Sequence, residues 1–296
     1  MNHTPIRPPV FVELCAGLAA VSLMLQGGRH ARPPVSRMGN KAGYALAILR
    51  VMGLRPGQGA DRYLWCEPDD GCRALLHAYT DRAMMQEAAR IIRSWADEEP
   101  RALWERLRAE GAVRVGEARE VARECFVHQG SYQYRGGASG IGRPDGRDAG
   151  GGFGAVAPLV EMLPRTLAPL VSHNATTHPD ARAVDPIPGS VAFMDPPYVN
   201  TTGYGHDLPR AEVIALARRW CGAGASVYVS EAEPIADLVG DGWRAVEITS
   251  QRIGQKRTFS KQQREWLTCS VEPAWRPAEQ EGLFGVIASE PSSRPA

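Results

Sequence analysis

Between Val191 and Tyr198 an apolar run, Val191-Ala192-Phe193-Met194, ends abruptly in Asp195-Pro196-Pro197-Tyr198. Pro196 has no backbone donor and steers Asp195 away from helical geometry, so the run reads as a short buried strand with an acid at its end. In an open α/β sheet ligands collect in the crevice beyond the carboxyl ends of the strands, which makes Asp195 a candidate site residue. The competing reading of Asp-Pro-Pro is an ordinary turn, with aspartate opening it and proline preset for its second position.

The rest of the chain alternates strand and helix signals in the same manner. Val10 to Leu14 is an apolar strand, followed by the small-residue turn Cys15-Ala16-Gly17-Leu18-Ala19-Ala20 and a helix over Val21 to Leu25. The turn serves either close packing of helix on strand or close approach of a ligand to the backbone. Gly39-Asn40-Lys41, at the start of an apolar helix over Ala45 to Met52, could hold an anion through backbone donors, helix dipole and lysine together. Tyr63 to Asp69 is a second strand ending in acids, and a carboxylate there can accept the ribose hydroxyls of a nucleoside-like cofactor. Glu67 is the candidate; Asp69 is the alternative, or else the N-cap of the next helix. Helices over Glu212 to Cys221 and Ile235 to Val239 and strands over Ser226 to Ser230, Arg244 to Thr249 and Trp266 to Ser270 continue the pattern. The predicted fold is α/β, a Rossmann-like doubly wound sheet.

Residues 1–79 and 176–272 would form this discontinuous sheet domain. Residues 80–175 interrupt it as a mostly helical and glycine-rich insertion. Within it Met84, Ala88, Ile91, Ile92 and Trp95 recur at helical spacing, as do Leu103, Trp104 and Leu107, and core packing is the expected role of these aromatics. His173 and His178 fall in what reads as a polar loop, without the spacing of a metal pair. The glycine-rich run from Gly130 to Gly154 cannot order itself by burial, and beside it Tyr132, Tyr134 and Arg135 are residue types that stack on bases and contact phosphates. Residues 273–296 read as a mobile tail.

Several classes are disfavoured. The GxGxxG and GxxxxGK[ST] phosphate-binding spacings are missing. The six cysteines are scattered with no CxxC pair, the pattern of reduced core thiols in a cytoplasmic protein rather than of a metal site. No apolar run approaches the ~18 residues of a membrane span, and the N-terminus does not read as a signal peptide. The net charge of +1 decides nothing about nucleic acid, but Arg252, Lys256, Arg257, Lys261 and Arg264 form one local basic cluster, either a solvated face or a phosphate-contacting surface.

Taken in order, the strand with its small-residue turn, the acid-ended second strand, Asp195-Pro196-Pro197-Tyr198, Ser226 to Ser230 and the basic ending before Glu265-Trp266-Leu267-Thr268 resemble the amino-methylating DNA methyltransferases. The resemblance covers most of the chain outside residues 80–175, where such enzymes carry their target-recognition insertion. It implies S-adenosylmethionine as cofactor, double-stranded DNA as partner and the amino group of adenine as acceptor, in a restriction-modification or phage setting. It further implies Asp195, Pro196, Pro197 and Tyr198 as catalytic residues. Asp195 and the Pro196 carbonyl would accept the amino hydrogens, and the role asks only a ring of Tyr198. Glu13, Ala16, Gly17, Lys41, Glu67 and Asp185 would meet the cofactor; Tyr132, Tyr134, Arg135, Arg252, Lys256, Arg257, Lys261 and Arg264 would meet DNA. The chain departs from the family where Leu18 and Ala19 follow Gly17, and where Lys41 follows the first strand instead of preceding it. Two alternatives stay open: another amino acceptor (cytosine, RNA or a protein glutamine), or an inactive DNA-binding protein of the same fold.

Overall fold

The computed structural model describes residues 7–35, 41–111, 114–130, 174–198, 208–248 and 265–276, with Pro100, Gln129 and Gly130 described by their backbone alone. Seven strands form one mixed sheet: β1 (Val10–Glu13), β2 (Arg62–Cys66), β3 (Ala175–His178), β4 (Val191–Met194), β5 (Ser226–Glu231), β6 (Arg244–Ile248) and β7 (Glu265–Cys269). Their spatial order is β3-β2-β1-β4-β5-β7-β6. The pairs from β3 through β5 are parallel, and β7 runs antiparallel between β5 and β6. The direction of winding reverses between β1 and β4, which opens a crevice at their carboxyl ends.

Each central strand is apolar on both sides because each side meets a different layer. Phe11, Tyr63, Trp65, Phe193 and Tyr228 face one hydrophobic cluster; Val10, Val12, Leu64, Ala192, Met194, Val227 and Val229 face the other. The first cluster is closed by α1 (Ala20–Gly27), α2 (Ala45–Val51), α3 (Asp70–Ala78), α4 (Arg82–Ser94), α5 (Pro100–Ala109) and α6 (Ala118–Gly130), and the second by α7 (Arg210–Gly222) and α8 (Ala236–Gly240). Met85, Ala88, Ile92, Trp95, Leu103, Trp104 and Leu107 thus pack into the same core as the sheet, and Trp95 meets Phe126 edge to face at 6.2 Å. Asp69 is the N-cap of α3, accepting from the Cys72 amide at 2.8 Å, and Asp81 caps α4 in the same way.

Two expectations are corrected. Residues 175–178 are not loop but the edge strand β3. Its sequence, Ala-Thr-Thr-His, has no apolar alternation, and it is ordered by its ladder to β2, from Tyr63 opposite Ala175 to Cys66 opposite His178. The tail does not begin at 273 either: the Ala274 amide donates to the Val51 carbonyl at 2.9 Å, and the Trp275 ring lies against the Arg50 guanidinium, fastening the chain after β7 onto α2. The other strands and helices fall within a few residues of their predicted bounds. Tyr132, Tyr134, Arg135, the glycine-rich run and the basic cluster from Arg252 to Arg264 lie outside the described residues. Among the described residues no helix is long and apolar enough to cross a membrane.

Candidate active site

Glu13 ends β1 and is 2% exposed. Its carboxylate accepts from the Ser22 amide at 2.7 Å, two residues into α1. The helix needs this, since its N-cap, Ala19, has no side chain to offer. The Ser22 hydroxyl in turn accepts from the Trp65 indole at 2.9 Å, tying α1 to β2. Burial pushes the Glu13 carboxyl up to about 7, against the hydrogen bonds from Ser22 and with Asp195 adding to the rise. Glu13 therefore caps the first turn of α1.

The loop itself is held at two points. The Ala16 amide donates to the Cys66 carbonyl at 2.9 Å, and the Gly17 amide to the Glu67 carboxylate at 2.7 Å. Gly17 has φ 53°, and a Cβ there would meet nothing within 4 Å, so its backbone faces open space. Ala19 also adopts a left-handed conformation, φ 50°, at a position where glycine carries no Cβ penalty. Glu67, 6% exposed, accepts from Gly17 and from the Asp69 amide at 3.1 Å, while its own amide donates to the His178 carbonyl at the end of β3. Its role as the acid beyond β2 and the capping role of Asp69 are thereby divided.

Asp195 lies just past β4 with its side chain 18% exposed. The Lys41 ammonium, itself 8% exposed, approaches its carboxylate to 2.6 Å, stands 3.7 Å from Glu265 and sits 4.6 Å from the centroid of the Tyr198 ring. Burial raises the Asp195 carboxyl to about 7; Lys41 pulls it down, and Glu265 and Glu231 push it up. Burial alone disfavours the Lys41 ammonium, but Asp195, Tyr198 and Glu265 together hold it well above its ordinary value, so Lys41 is a fixed cation. Burial, followed by neighbouring carboxylates, likewise keeps the Tyr198 phenol protonated.

No protein-family model matches this chain, and no curated protein matches it in sequence.

The structure thus brings Glu13, Ala16, Gly17, Lys41, Glu67 and Asp195 to Tyr198 onto one rim, at the carboxyl ends of β1, β2 and β4. It does not bring Asp185 there. That residue is exposed on the return from β3 to β4, beside Val184, whose carbonyl is held by Arg219 of α7 at 2.7 Å. Two buried acids were not anticipated as site residues. Glu231, 3% exposed, ends β5 and pairs with Arg210 at 3.0 Å; Glu265, 2% exposed, begins β7 and accepts hydrogen bonds from Tyr198 and Ser230. Glu231 carried the same signal as Asp195 and Glu67, an acid ending an apolar strand, one residue beyond where that strand was expected to stop. Glu265 was marked only as the start of a late strand and not as a site residue, because only a reversed strand puts a first residue at this edge. Cys15 lies on the rim too, but burial, with Glu67 and Asp195 adding, pushes its thiol well up, which argues against a thiolate nucleophile.

Proposed function

We propose that this chain is an S-adenosylmethionine-dependent DNA methyltransferase acting on the exocyclic amino group of adenine. The carrying observation is the excess of acids on the rim around Asp195-Pro196-Pro197-Tyr198: Glu67 and Glu265, with Glu13 and Asp195 raised to about 7 and Glu231 also raised, against the cations Lys41 and Arg210. Such a rim favours a cationic ligand and repels a pyrophosphate, which supports a sulfonium nucleoside over a dinucleotide. The sheet supports the same choice, since the dinucleotide-binding order 3-2-1-4-5-6 has no reversed strand between its fifth and sixth members.

Glu67 would hold the cofactor's ribose hydroxyls, the Gly17 turn would admit it close to the backbone, and Lys41 would partner its carboxylate, as the resemblance implies. Bound there, S-adenosylmethionine supplies an electrophilic methyl group. The chain's own contribution is to the acceptor. An aromatic amino nitrogen is a poor nucleophile because its lone pair is delocalised into the ring. The Asp195 carboxylate and Pro196 carbonyl accept its hydrogens and favour a pyramidal nitrogen with a localised lone pair, an interaction that strengthens towards the transition state. Lys41 serves this by opposing the protonation of Asp195. The base must leave the duplex to reach the rim, and Tyr198 gives it a ring to stack on. The basic cluster from Arg252 to Arg264 and residues 80–175 would contact the DNA. The same reading takes the protein to be cytoplasmic, in keeping with six free thiols.

The test is methyl transfer from labelled S-adenosylmethionine to duplex DNA. Asp195→Ala should lower turnover by ~100-fold or more with cofactor affinity largely kept. Absence of both heat and thermal shift on titrating the wild-type protein with millimolar S-adenosylmethionine refutes the enzymatic reading. Transfer to adenine-free DNA moves the acceptor to cytosine.

A further inference from the structure

We infer that Glu265 is the positioning residue of Tyr198, so that the tyrosine works as half of a phenol–carboxylate pair and not as a bare ring. This rests on the reading above, in which Tyr198 stacks on the acceptor base. Because β7 is antiparallel to its neighbours, its first residue lies at the edge where the parallel strands end: Glu231 stands opposite Trp266, and Ile248 opposite Glu265. The Glu265 carboxylate thus reaches the rim from a strand that contributes nothing else there. It accepts from the Tyr198 phenol and from the Ser230 hydroxyl, and those two oxygens are themselves 3.1 Å apart. Lys41 completes the clamp, 3.7 Å from Glu265 and 4.6 Å from the ring centroid.

The phenol end of the ring is therefore pinned by its hydrogen bond to the Glu265 carboxyl group, and one face is covered by a cation, so a stacked base takes the opposite face. Glu265 has a matching need of the phenol. As a buried carboxylate near Asp195 and Glu231, it requires donors, and removing one leaves an acceptor partly unsatisfied in a low-dielectric site. Stacking by itself asks nothing of the hydroxyl, yet the hydroxyl is the most constrained part of the side chain.

The experiment combines fluorine resonance of fluorotyrosine-labelled protein with turnover on duplex DNA. The Tyr198 line, identified by its loss in Tyr198→Phe, should be displaced from that of free fluorotyrosine in the wild type and should move towards it in Glu265→Gln. Glu265→Gln and Tyr198→Phe should each lower turnover by about tenfold or more with cofactor affinity within about twofold, and the double variant should be no worse than the poorer single. A Tyr198 line at the position of free fluorotyrosine in the wild type, an unmoved line in Glu265→Gln, or parent turnover in Tyr198→Phe overturns the inference. Should Glu265→Gln not fold, the wild-type line and the Tyr198→Phe turnover still decide. A wild-type protein that methylates no DNA overturns the proposed function instead, and the resonance then judges the pair by itself.

Discussion

Replacing Lys41 by methionine keeps much of the side-chain volume and removes one charge from the centre of the rim. Lys41 approaches Asp195 to 2.6 Å and Glu265 to 3.7 Å, and the other nearby cation, Arg210, is engaged with Glu231. Asp195 stands at about 7 with Lys41 present. An opposite charge in contact lowers a carboxyl by ~1–3 units, so its loss should carry Asp195 to roughly 8–10. The ionised form is the one that accepts amino hydrogens, so activity appears as pH rises through this value. At neutral pH the ionised fraction should fall from about half to a tenth or less, a loss of at least ~5-fold in single-turnover methyl transfer, recovered in part as pH is raised. Cofactor affinity is measured in parallel by calorimetry, because Lys41 is also the expected partner of the cofactor's carboxylate. A variant whose pH–rate profile rises where the wild type's does would refute the assignment of Lys41 as the group that keeps Asp195 ionised.

Three further outcomes are expected. Glu13 binds its proton more tightly folded than unfolded, its carboxyl being raised from 4.5 to about 7, so its contribution to stability is fully present below the lower value and lost as pH rises through the upper. Glu13→Gln should remove from the denaturant-unfolding free energy a decline of about 3 kcal/mol across that window, and an unchanged slope would place the proton elsewhere. Gly17→Ala meets no neighbour within 4 Å but forces a Cβ onto φ 53°; it should cost ~1–2 kcal/mol in thermal unfolding and weaken S-adenosylmethionine by more than ~10-fold if the ligand touches the backbone there. Neutralising two of Arg252, Lys256, Arg257, Lys261 and Arg264 should flatten the dependence of log DNA affinity on log salt by close to two units, and an unmoved slope makes the cluster a solvated face.

The strands β1, β2, β4 and β5 and the acids Asp195 and Glu67 were legible in the chain because their signal is local. A run of apolar residues stopped by proline or by acid determines both where a strand ends and what stands there. Residues 175–178 were not legible, since an edge strand with polar side chains is ordered by the ladder it joins and not by its own pattern. Glu13 was named only through the resemblance, and its partner, the Ser22 amide, follows from how α1 turns back over β1. Asp185 shows the limit of proximity in sequence: ten residues before Asp195, it lies on the far side of a return that carries it away from the rim. Glu231 was missed by one residue at a strand end the sequence did mark, whereas the place of Glu265 at the rim belongs to the tertiary structure altogether. Lys41, Asp195 and Glu265 are spread over more than two hundred residues, and only the order in which strands pair, with β7 reversed between β5 and β6, brings both acids to the Lys41 ammonium, at 2.6 and 3.7 Å. Strand pairing is non-local, and so is the electrostatic field that sets the proton on Asp195.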